Sequence, residues 1–474
     1  MLTVWESIAR EIEDFTARIR TLPVLRLVPP RAVREEVEST FDLAAPVPLD
    51  DLTRKVAALF RAHSVQVTHP RYFGLFNPSV SEAGIVGDTL AAVYNAQLAT
   101  WSHSPAANEL ERLTLRHLTR RLGLDPDSTI ANFTSGGLEA NMSAVLAALA
   151  HRFPLFAEDG ASAIGARPVI YVTSESHHSF LKIARMIGLG AKAVCEATTT
   201  SGFAFDVTAL RERIHDDMAR GRCALMIVGT AGTTGGGIVD PLPALADIAR
   251  ESNAWFHVDA AWGGAAVMAP RLRPALAGIE RADSVTWDAH KWMSAPMGAG
   301  MFFCRHPEAV HRAFDAAASY MPSDAGAETV DAYNTTVQWS RRAIGLKVFM
   351  SLAERGEDAF ARQIDHHAHM GDRLRSKLAA AGWIVVNETV LPVICFTHDD
   401  IRSGRVSTGR ILNTIYTRGN VWISDVVLGR QERVLRACIT SFRTEDEDLD
   451  YLIEELDLAR RLDKASLAQG PSHV

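Results

Sequence analysis

The chain has few cysteines, and none of them stands in a pattern that binds metal. Its 474 residues include five. They lie far apart, with no CxxC pair and no Cys/His cluster, so neither a zinc site nor a disulfide framework is indicated. We expect no metal and reduced thiols, as in the cytoplasm. The five are Cys195, Cys223, Cys304, Cys395 and Cys438.

Long apolar runs and a strong charge of either sign are also missing. The longest runs, such as SAVLAALA, are too short to span a bilayer. The first residues lack the basic and apolar segments of a secretory signal. The net charge of -7 gives no reason to expect nucleic acid or an anionic membrane as a partner. We therefore predict a cytoplasmic protein with neither kind of partner.

What the chain does have is an ordinary globular composition, with 47% hydrophobic and 22% charged residues. Residues 1–75 predict helices broken by proline-containing turns. The apolar positions of the first helix recur every three or four residues. This segment has little core of its own, so we expect it to pack on a second subunit. Those apolar positions are Val4, Ile8, Ile12, Phe15 and Ile19.

Short apolar runs alternate with amphipathic stretches between about 130 and 305. PVIYVTS, CALMIVGTAG, AWFHVDAA and GAGMFFCR are typical of buried strands. The alternation predicts a mostly parallel sheet covered on both faces, with ligands beyond the carboxyl ends of its strands. We place a large domain at 76–345. Two long helical stretches then lead into a smaller α/β domain at 346–474.

Lys291 is the first candidate for chemistry. The segment SVTWDAHKW places His290 and Lys291 where a strand ends, beside the bulky Trp292 and Met293. Burial makes a neutral lysine amine available for a Schiff base with an aldehyde. An isolated lysine is more often a surface residue. Its companion motifs favour the chemical interpretation.

Asp259 follows another buried strand, in HVDAAWGG. A carboxylate there suits the ring nitrogen of pyridoxal phosphate, whose protonated pyridine accepts electrons. Ala260 and Ala261 leave room for a flat ring. The alternative is an N-capping or turn aspartate.

Three further motifs suit the same cofactor. Gly136 and Gly137 precede a helix, where free N–H groups bind phosphate, although a glycine pair is often only a tight turn. His177 follows a strand and can stack on a flat ring, or it is simply a half-buried histidine. Thr234, in GTAGTTGGG, offers a hydroxyl, or it belongs to a flexible loop.

Taken in order, these motifs resemble the group II pyridoxal-phosphate-dependent decarboxylases. The resemblance runs from HPRYFG through WSHSPAANELE, TSGGLEAN, SHHS, GTAGTT, HVDAAWGG and DAHKW to LRACITSFRT. It implies the aspartate-aminotransferase fold (fold type I), with a seven-stranded central sheet. It also implies pyridoxal 5'-phosphate as cofactor and a homodimer with shared active sites.

The resemblance assigns roles to individual positions. Lys291 matches the Schiff-base lysine, Asp259 the partner of the ring nitrogen, and His177 the stacking histidine. Asp288 stands where several relatives have asparagine, and Arg436 matches an arginine that helps hold a substrate carboxylate. The remaining cofactor positions are Gly136, Gly137, Leu138, Thr234, Ala261 and His290.

The proton donor of the family is a tyrosine on a loop that follows the Schiff-base lysine. Tyr333 is the best match, and Tyr320, closer to the preceding helix, is interpreted as structural. Relatives with phenylalanine at the donor position form an aldehyde with oxygen, and Tyr333 argues against that outcome. Transamination is a further alternative, and so is a cofactor-free scaffold.

The family's substrate pocket follows HPRYFG. Leu75 and Phe76 favour an apolar or aromatic side chain over an acidic one, and Trp101 adds a further wall. His103 can meet a phenol, an imidazole or an acid. We predict an aromatic L-amino acid as substrate, with glutamate, aspartate or diaminobutyrate as alternatives. The substrate-binding candidates are Leu75, Phe76, Asn77, Trp101, His103 and Arg436.

Overall fold

The computed structural model describes residues 4–316, 329–429 and 432–468, and side chains as far as residue 464. Within these ranges the helices are α1 (Val4–Arg18), α2 (Pro30–Thr40), α3 (Leu49–His63), α4 (Glu82–Tyr94), α5 (Pro105–Arg121), α6 (Gly137–Arg152), α7 (Phe156–Asp159), α8 (Ser179–Met186), α9 (Val207–Ala219), α10 (Leu242–Ser252), α11 (Pro307–Phe314), α12 (Gly345–Ala380), α13 (Asp399–Arg402), α14 (Thr408–Arg418) and α15 (Asp446–Ala468).

Eleven strands are found in the same ranges. The larger sheet contains β1 (Ile130–Thr134), β2 (Arg167–Thr173), β3 (Val194–Ala197), β4 (Arg222–Thr230), β5 (Trp255–Asp259), β6 (Ser284–Asp288) and β7 (Gly300–Cys304). The smaller sheet contains β8 (Ile384–Val385), β9 (Val393–Thr397), β10 (Ser424–Leu428) and β11 (Glu432–Cys438).

The larger sheet has the order β1-β7-β6-β5-β4-β2-β3, in which β7 alone runs antiparallel to its neighbours. Every residue of β5 and of β6 is buried, as the long apolar runs predict for strands covered on both faces. The carboxyl ends of β4, β5 and β6 therefore meet at one edge. The α/β class and the mostly parallel seven-stranded sheet are confirmed.

The smaller sheet is antiparallel, in the order β10-β11-β9-β8. It shares a core with α14, α15 and the second half of α12. The two long helical stretches form α12, which is interrupted at Gly356, where φ is 71°. The domain boundaries at 75 and 345 stay a prediction.

The N-terminal segment forms α1, α2 and α3, as predicted, and none of their residues is buried within the chain. The five cysteines are all free and buried. Among the described helices, none combines the length and the apolar character that a membrane crossing requires.

Candidate active site

Lys291 lies three residues beyond the end of β6, against a buried carboxylate. Its Nζ is 2.9 Å from Oδ2 of Asp288, the last residue of the strand. The side chain of Asp288 is 1% exposed and that of Lys291 26% exposed. Oδ1 of Asp288 is buried and accepts no hydrogen bond from the described residues. The pair thus combines an accessible amine with a buried carboxylate oxygen that can still accept a hydrogen bond.

His290 packs beside this pair. Its Nδ1 accepts a hydrogen bond of 3.1 Å from the N–H of Ala299, and its Nε2 lies 3.8 Å from Oδ2 of Asp288. Burial lowers the pKa of His290, and the nearby carboxylate opposes that effect. The neutral ring therefore carries its proton on Nε2, on the side that faces Asp288.

Asp259 ends β5, the neighbour of β6 in the sheet. It is buried, and both of its oxygens accept hydrogen bonds. Oδ2 accepts from Nδ2 of Asn141 at 2.9 Å, and Oδ1 accepts from the N–H of Ala261 at 3.1 Å. These two donors stabilise and orient the buried carboxylate.

The first turn of α6 meets the same edge of the sheet. A Cβ on Gly137 would lie 3.0 Å from Oδ2 of Asp288 and 3.4 Å from the Cβ of Ala261. A side chain at this position would therefore crowd both groups. The N–H groups of Glu139 and Ala140 bond to the carbonyl of Gly136. Those of Gly137 and Leu138 precede the first intrahelical bonds and are available for an anion.

His177 and Thr234 complete the site from the ends of β2 and β4. His177 is exposed, and its Nδ1 accepts from the N–H of Ser179 at 3.2 Å. The surrounding protein partly excludes water from the ring, and this lowers the pKa of His177. The negative charge of Asp259 raises that pKa, and the positive charge of Lys291 lowers it. Thr234 is exposed.

Phe76 and Arg436, two of the predicted substrate residues, lie together. Phe76 stacks on Trp262 at a centroid distance of 4.4 Å, and the Arg436 guanidinium lies 4.9 Å over the Phe76 ring. Nε of Arg436 donates to the carbonyl of Gly235, next to Thr234. Nη2 of Arg436 is buried and finds no acceptor among the described residues. Arg436 thus lies against the loop that contains Thr234, and its Nη2 can still donate a hydrogen bond.

Trp101 and Tyr333 form another group around Asp331. The N–H of Trp101 donates to Oδ1 of Asp331, and the N–H of Tyr333 donates to the carbonyl of Ala99. Tyr333 is 6% exposed, and its ring packs on Trp339 at 5.1 Å. Tyr333 is therefore a buried residue of a short 3-10 helix, whereas the sequence analysis placed it on a loop. Tyr320 lies outside the described residues.

The remaining substrate candidates lie at the surface. Leu75 is 49% exposed, and Asn77 donates to the sulfur of Met297. His103 is exposed, and its Nδ1 lies 2.6 Å from Oγ1 of Thr100. No described contact joins these three residues to Lys291.

Two residues behind Asp259 received no role from the sequence. Asn141 bonds to Asp259 and also to His257. A signal was present: His257 and Asp259 are two positions apart on one strand and therefore share a face. The position of Asn141, more than a hundred residues away, is set by the packing of α6 on the sheet.

Comparison with known proteins identifies the family to which this chain belongs. The model of the pyridoxal-dependent decarboxylase conserved domain matches residues 31–399. The chain is 28% identical to the aromatic-L-amino-acid decarboxylase of Bacillus atrophaeus over 393 residues, which are 81% of this chain and 79% of that protein. It is 30% identical to the 4-hydroxyphenylacetaldehyde synthase of Rhodiola rosea over 392 residues, again 81% and 79%.

The solved structures show the same relationship. The tryptophan decarboxylase of Catharanthus roseus, in complex with L-tryptophan, superimposes with a TM-score of 0.86 at 25% identity. The match covers 96% of this chain and 97% of that one. The chain belongs to the pyridoxal-dependent decarboxylase family and is a carboxy-lyase that uses pyridoxal 5'-phosphate.

Proposed function

We propose that this enzyme removes the carboxylate of an aromatic L-amino acid, using pyridoxal phosphate held at Lys291. The observation that carries the proposal is the meeting of three groups at one sheet edge. The amine of Lys291 follows the end of β6, the buried carboxylate of Asp259 ends β5, and Gly137 at the start of α6 lies against Asp288 and Ala261. This set of groups complements an aldehyde, a ring nitrogen and a phosphate.

The residues fit the cofactor. Lys291 would hold its aldehyde carbon covalently, and Asp259 would accept a hydrogen bond from its protonated ring nitrogen. The N–H groups of Gly137 and Leu138 would bind its phosphate. Thr234 offers a hydroxyl at the adjacent strand end.

Each of these side chains has a task that its geometry supports. Bound pyridoxal phosphate supplies an electron sink for the carbon that loses CO2. Asp259 is fixed by two hydrogen bonds, and its negative charge would stabilise the positive charge of the protonated ring nitrogen. His177 presents an exposed ring that can lie flat against an aromatic cofactor. Lys291 would hold the cofactor, and its amine would be available for proton transfer beside the reacting carbon.

The preference for an aromatic side chain rests on apolar surface and on the named relatives. Phe76 and Trp262 form a buried stacked pair, and Arg436 beside them has one N–H donor without an acceptor among the described residues. Leu75 adds exposed apolar surface next to Phe76. The Bacillus and Catharanthus relatives are named for aromatic substrates.

The test is a panel of L-amino acids with CO2 and amine measured together. We expect turnover of tyrosine, tryptophan, phenylalanine or 3,4-dihydroxyphenylalanine, with one amine released for each CO2. Turnover confined to glutamate or aspartate would contradict the aromatic assignment. Aldehyde and hydrogen peroxide in place of amine would favour the activity for which the Rhodiola relative is named.

We further propose a homodimer in the cytoplasm. The N-terminal helices bury none of their residues within the chain. Large apolar side chains on or near them are exposed, and a second copy would cover them. Sedimentation analysis should give a species of twice the chain mass. The exposed side chains include Trp5, Leu27, Leu49, Phe60, Val93 and Tyr94.

A further inference from the structure

A chain of buried hydrogen bonds runs behind the active-site carboxylate. Nε1 of Trp255 is 2.8 Å from Oγ of Ser284, which is 2.8 Å from Nδ1 of His257. Nε2 of His257 is 3.0 Å from Oδ1 of Asn141, whose Nδ2 is 2.9 Å from Oδ2 of Asp259. All five side chains are buried.

The chemistry of the groups fixes the direction of each bond. An indole N–H only donates, so Ser284 accepts from Trp255. A carboxylate accepts, so the amide nitrogen of Asn141 faces Asp259 and its oxygen faces His257. His257 must then donate from Nε2 and accept on Nδ1 from the Ser284 hydroxyl.

The charge state of His257 agrees with this order. Burial lowers the pKa of His257 to about 4, so the ring is neutral at physiological pH and carries one proton. Along the series from Trp255 to Asn141, each hydrogen bond is therefore donated in the direction of Asp259. Aligned donors of this kind polarise one another and strengthen the last bond of the series.

The amide of Asn141 has no freedom to turn. One N–H of its Nδ2 donates to Asp259 and the other to Oγ of Ser179, which lies 3.1 Å away. Its oxygen is held by His257. A side chain held at three points keeps its partner in one orientation, as residues behind a metal ligand orient that ligand.

We propose that Asn141 and His257 are positioning residues that set the strength of the contact between Asp259 and the cofactor ring nitrogen. This role rests on the proposed cofactor site. Neither residue touches the cofactor; both act through Asp259. Their loss weakens cofactor binding and shifts the pH profile of the bound cofactor's visible absorption.

The test titrates the full-length apoenzyme with pyridoxal 5'-phosphate and records absorbance across pH. Asn141→Leu removes the last donor and should raise the cofactor Kd about 10- to 100-fold, the loss of a hydrogen bond to a charged group. His257→Leu should raise it about tenfold. His257→Gln should stay within about threefold, because glutamine can accept from Ser284 and donate to Asn141.

Milder variants keep the test decisive if the leucine variants do not fold. Trp255→Phe removes only the far N–H and should raise the Kd about twofold to threefold. Trp383→Phe is the matched control, because it removes an indole bond to Asp457 in the smaller domain. It should leave the Kd and the pH profile unchanged. Thermal unfolding of each apo form reports on folding.

The outcomes distinguish a failure of the proposed positioning role from a failure of the proposed cofactor site. A wild type that gains no absorbance, or a Lys291→Ala that keeps it, contradicts the proposed function and this role with it. A normal wild type with equal Kd values for His257→Gln and His257→Leu overturns the positioning role alone. So does an Asn141→Leu variant with a wild-type Kd and pH profile.

Discussion

The amine of Lys291 and the carboxylate of Asp288 form a salt bridge of 2.9 Å at the end of β6. The same carboxylate lies 3.0 Å from the position that a Cβ on Gly137 would take. An internal anion therefore stands at the start of α6, where a phosphate would bind.

Asp288→Asn should strengthen cofactor binding. It removes a negative charge from beside the phosphate site, and we expect the Kd to fall about tenfold, which corresponds to about 1.4 kcal/mol. Titration of the apoenzyme measures this. Asp283→Asn is the matched control, since Asp283 precedes the other end of the same strand and pairs with His306. An unchanged or higher Kd in Asp288→Asn would show that Asp288 does not oppose the phosphate.

The proton donor is tested by two matched variants. Tyr333→Phe should slow amine release and divert the reaction, with oxygen and water, to aldehyde, ammonia and hydrogen peroxide. The buried ring of Tyr333 against Trp339 makes Tyr320→Phe the necessary companion. Product analysis under air decides between them. Normal amine yield in Tyr333→Phe, with aldehyde from Tyr320→Phe, would transfer the role to Tyr320.

Leu75→Gln should raise KM for an aromatic substrate about tenfold and leave kcat nearly unchanged, because it removes apolar contact without touching the cofactor groups. Steady-state kinetics measure both constants. Leu155 is 58% exposed and carries no role in the site, so Leu155→Gln is the control. Equal KM values for the two variants would remove Leu75 from the pocket.

Acid should unfold the apoenzyme through its buried histidines. Burial lowers the pKa of His69 and of His257 to about 4, and that of His367 to about 3. The unfolded chain binds these protons near pH 6.5 and the folded chain does not, so the free energy of unfolding falls as pH drops from about 6.5 to about 4. Each histidine contributes on the order of 3 kcal/mol across this window.

Denaturant unfolding at several pH values measures that slope. His367→Gln should make it shallower, because glutamine does not titrate and can still accept the Trp292 N–H that bonds to His367. A free energy of unfolding that stays constant between pH 6.5 and 4 would contradict the account.

Local sequence patterns predict most of the helices and strands of the fold. The buried strand β4 contains a continuous apolar run, and α1 follows its three- and four-residue periodicity. β1 and β3 were not anticipated, since they are short and only partly buried. Their place in the sheet depends on pairing with distant strands, which no local pattern contains.

In the candidate site, too, local motifs predict some residues, whereas the contacts between distant segments are not predicted. Lys291, Asp259 and Gly137 stand in local motifs at strand and helix ends. Asn141, which helps orient Asp259, stands 118 positions before it, so no local sequence pattern indicates their contact. The salt bridge between Asp288 and Lys291 likewise depends on how the chain turns after β6.

The most direct test of the central claim is reduction of the cofactor-loaded enzyme with borohydride, followed by proteolysis and mass spectrometry. Reduction turns the bond between the cofactor's aldehyde carbon and a lysine nitrogen into a stable amine. We expect one labelled peptide, with the added mass on Lys291, and none in Lys291→Ala. A label on another lysine, or an unlabelled Lys291 in an active enzyme, would contradict it.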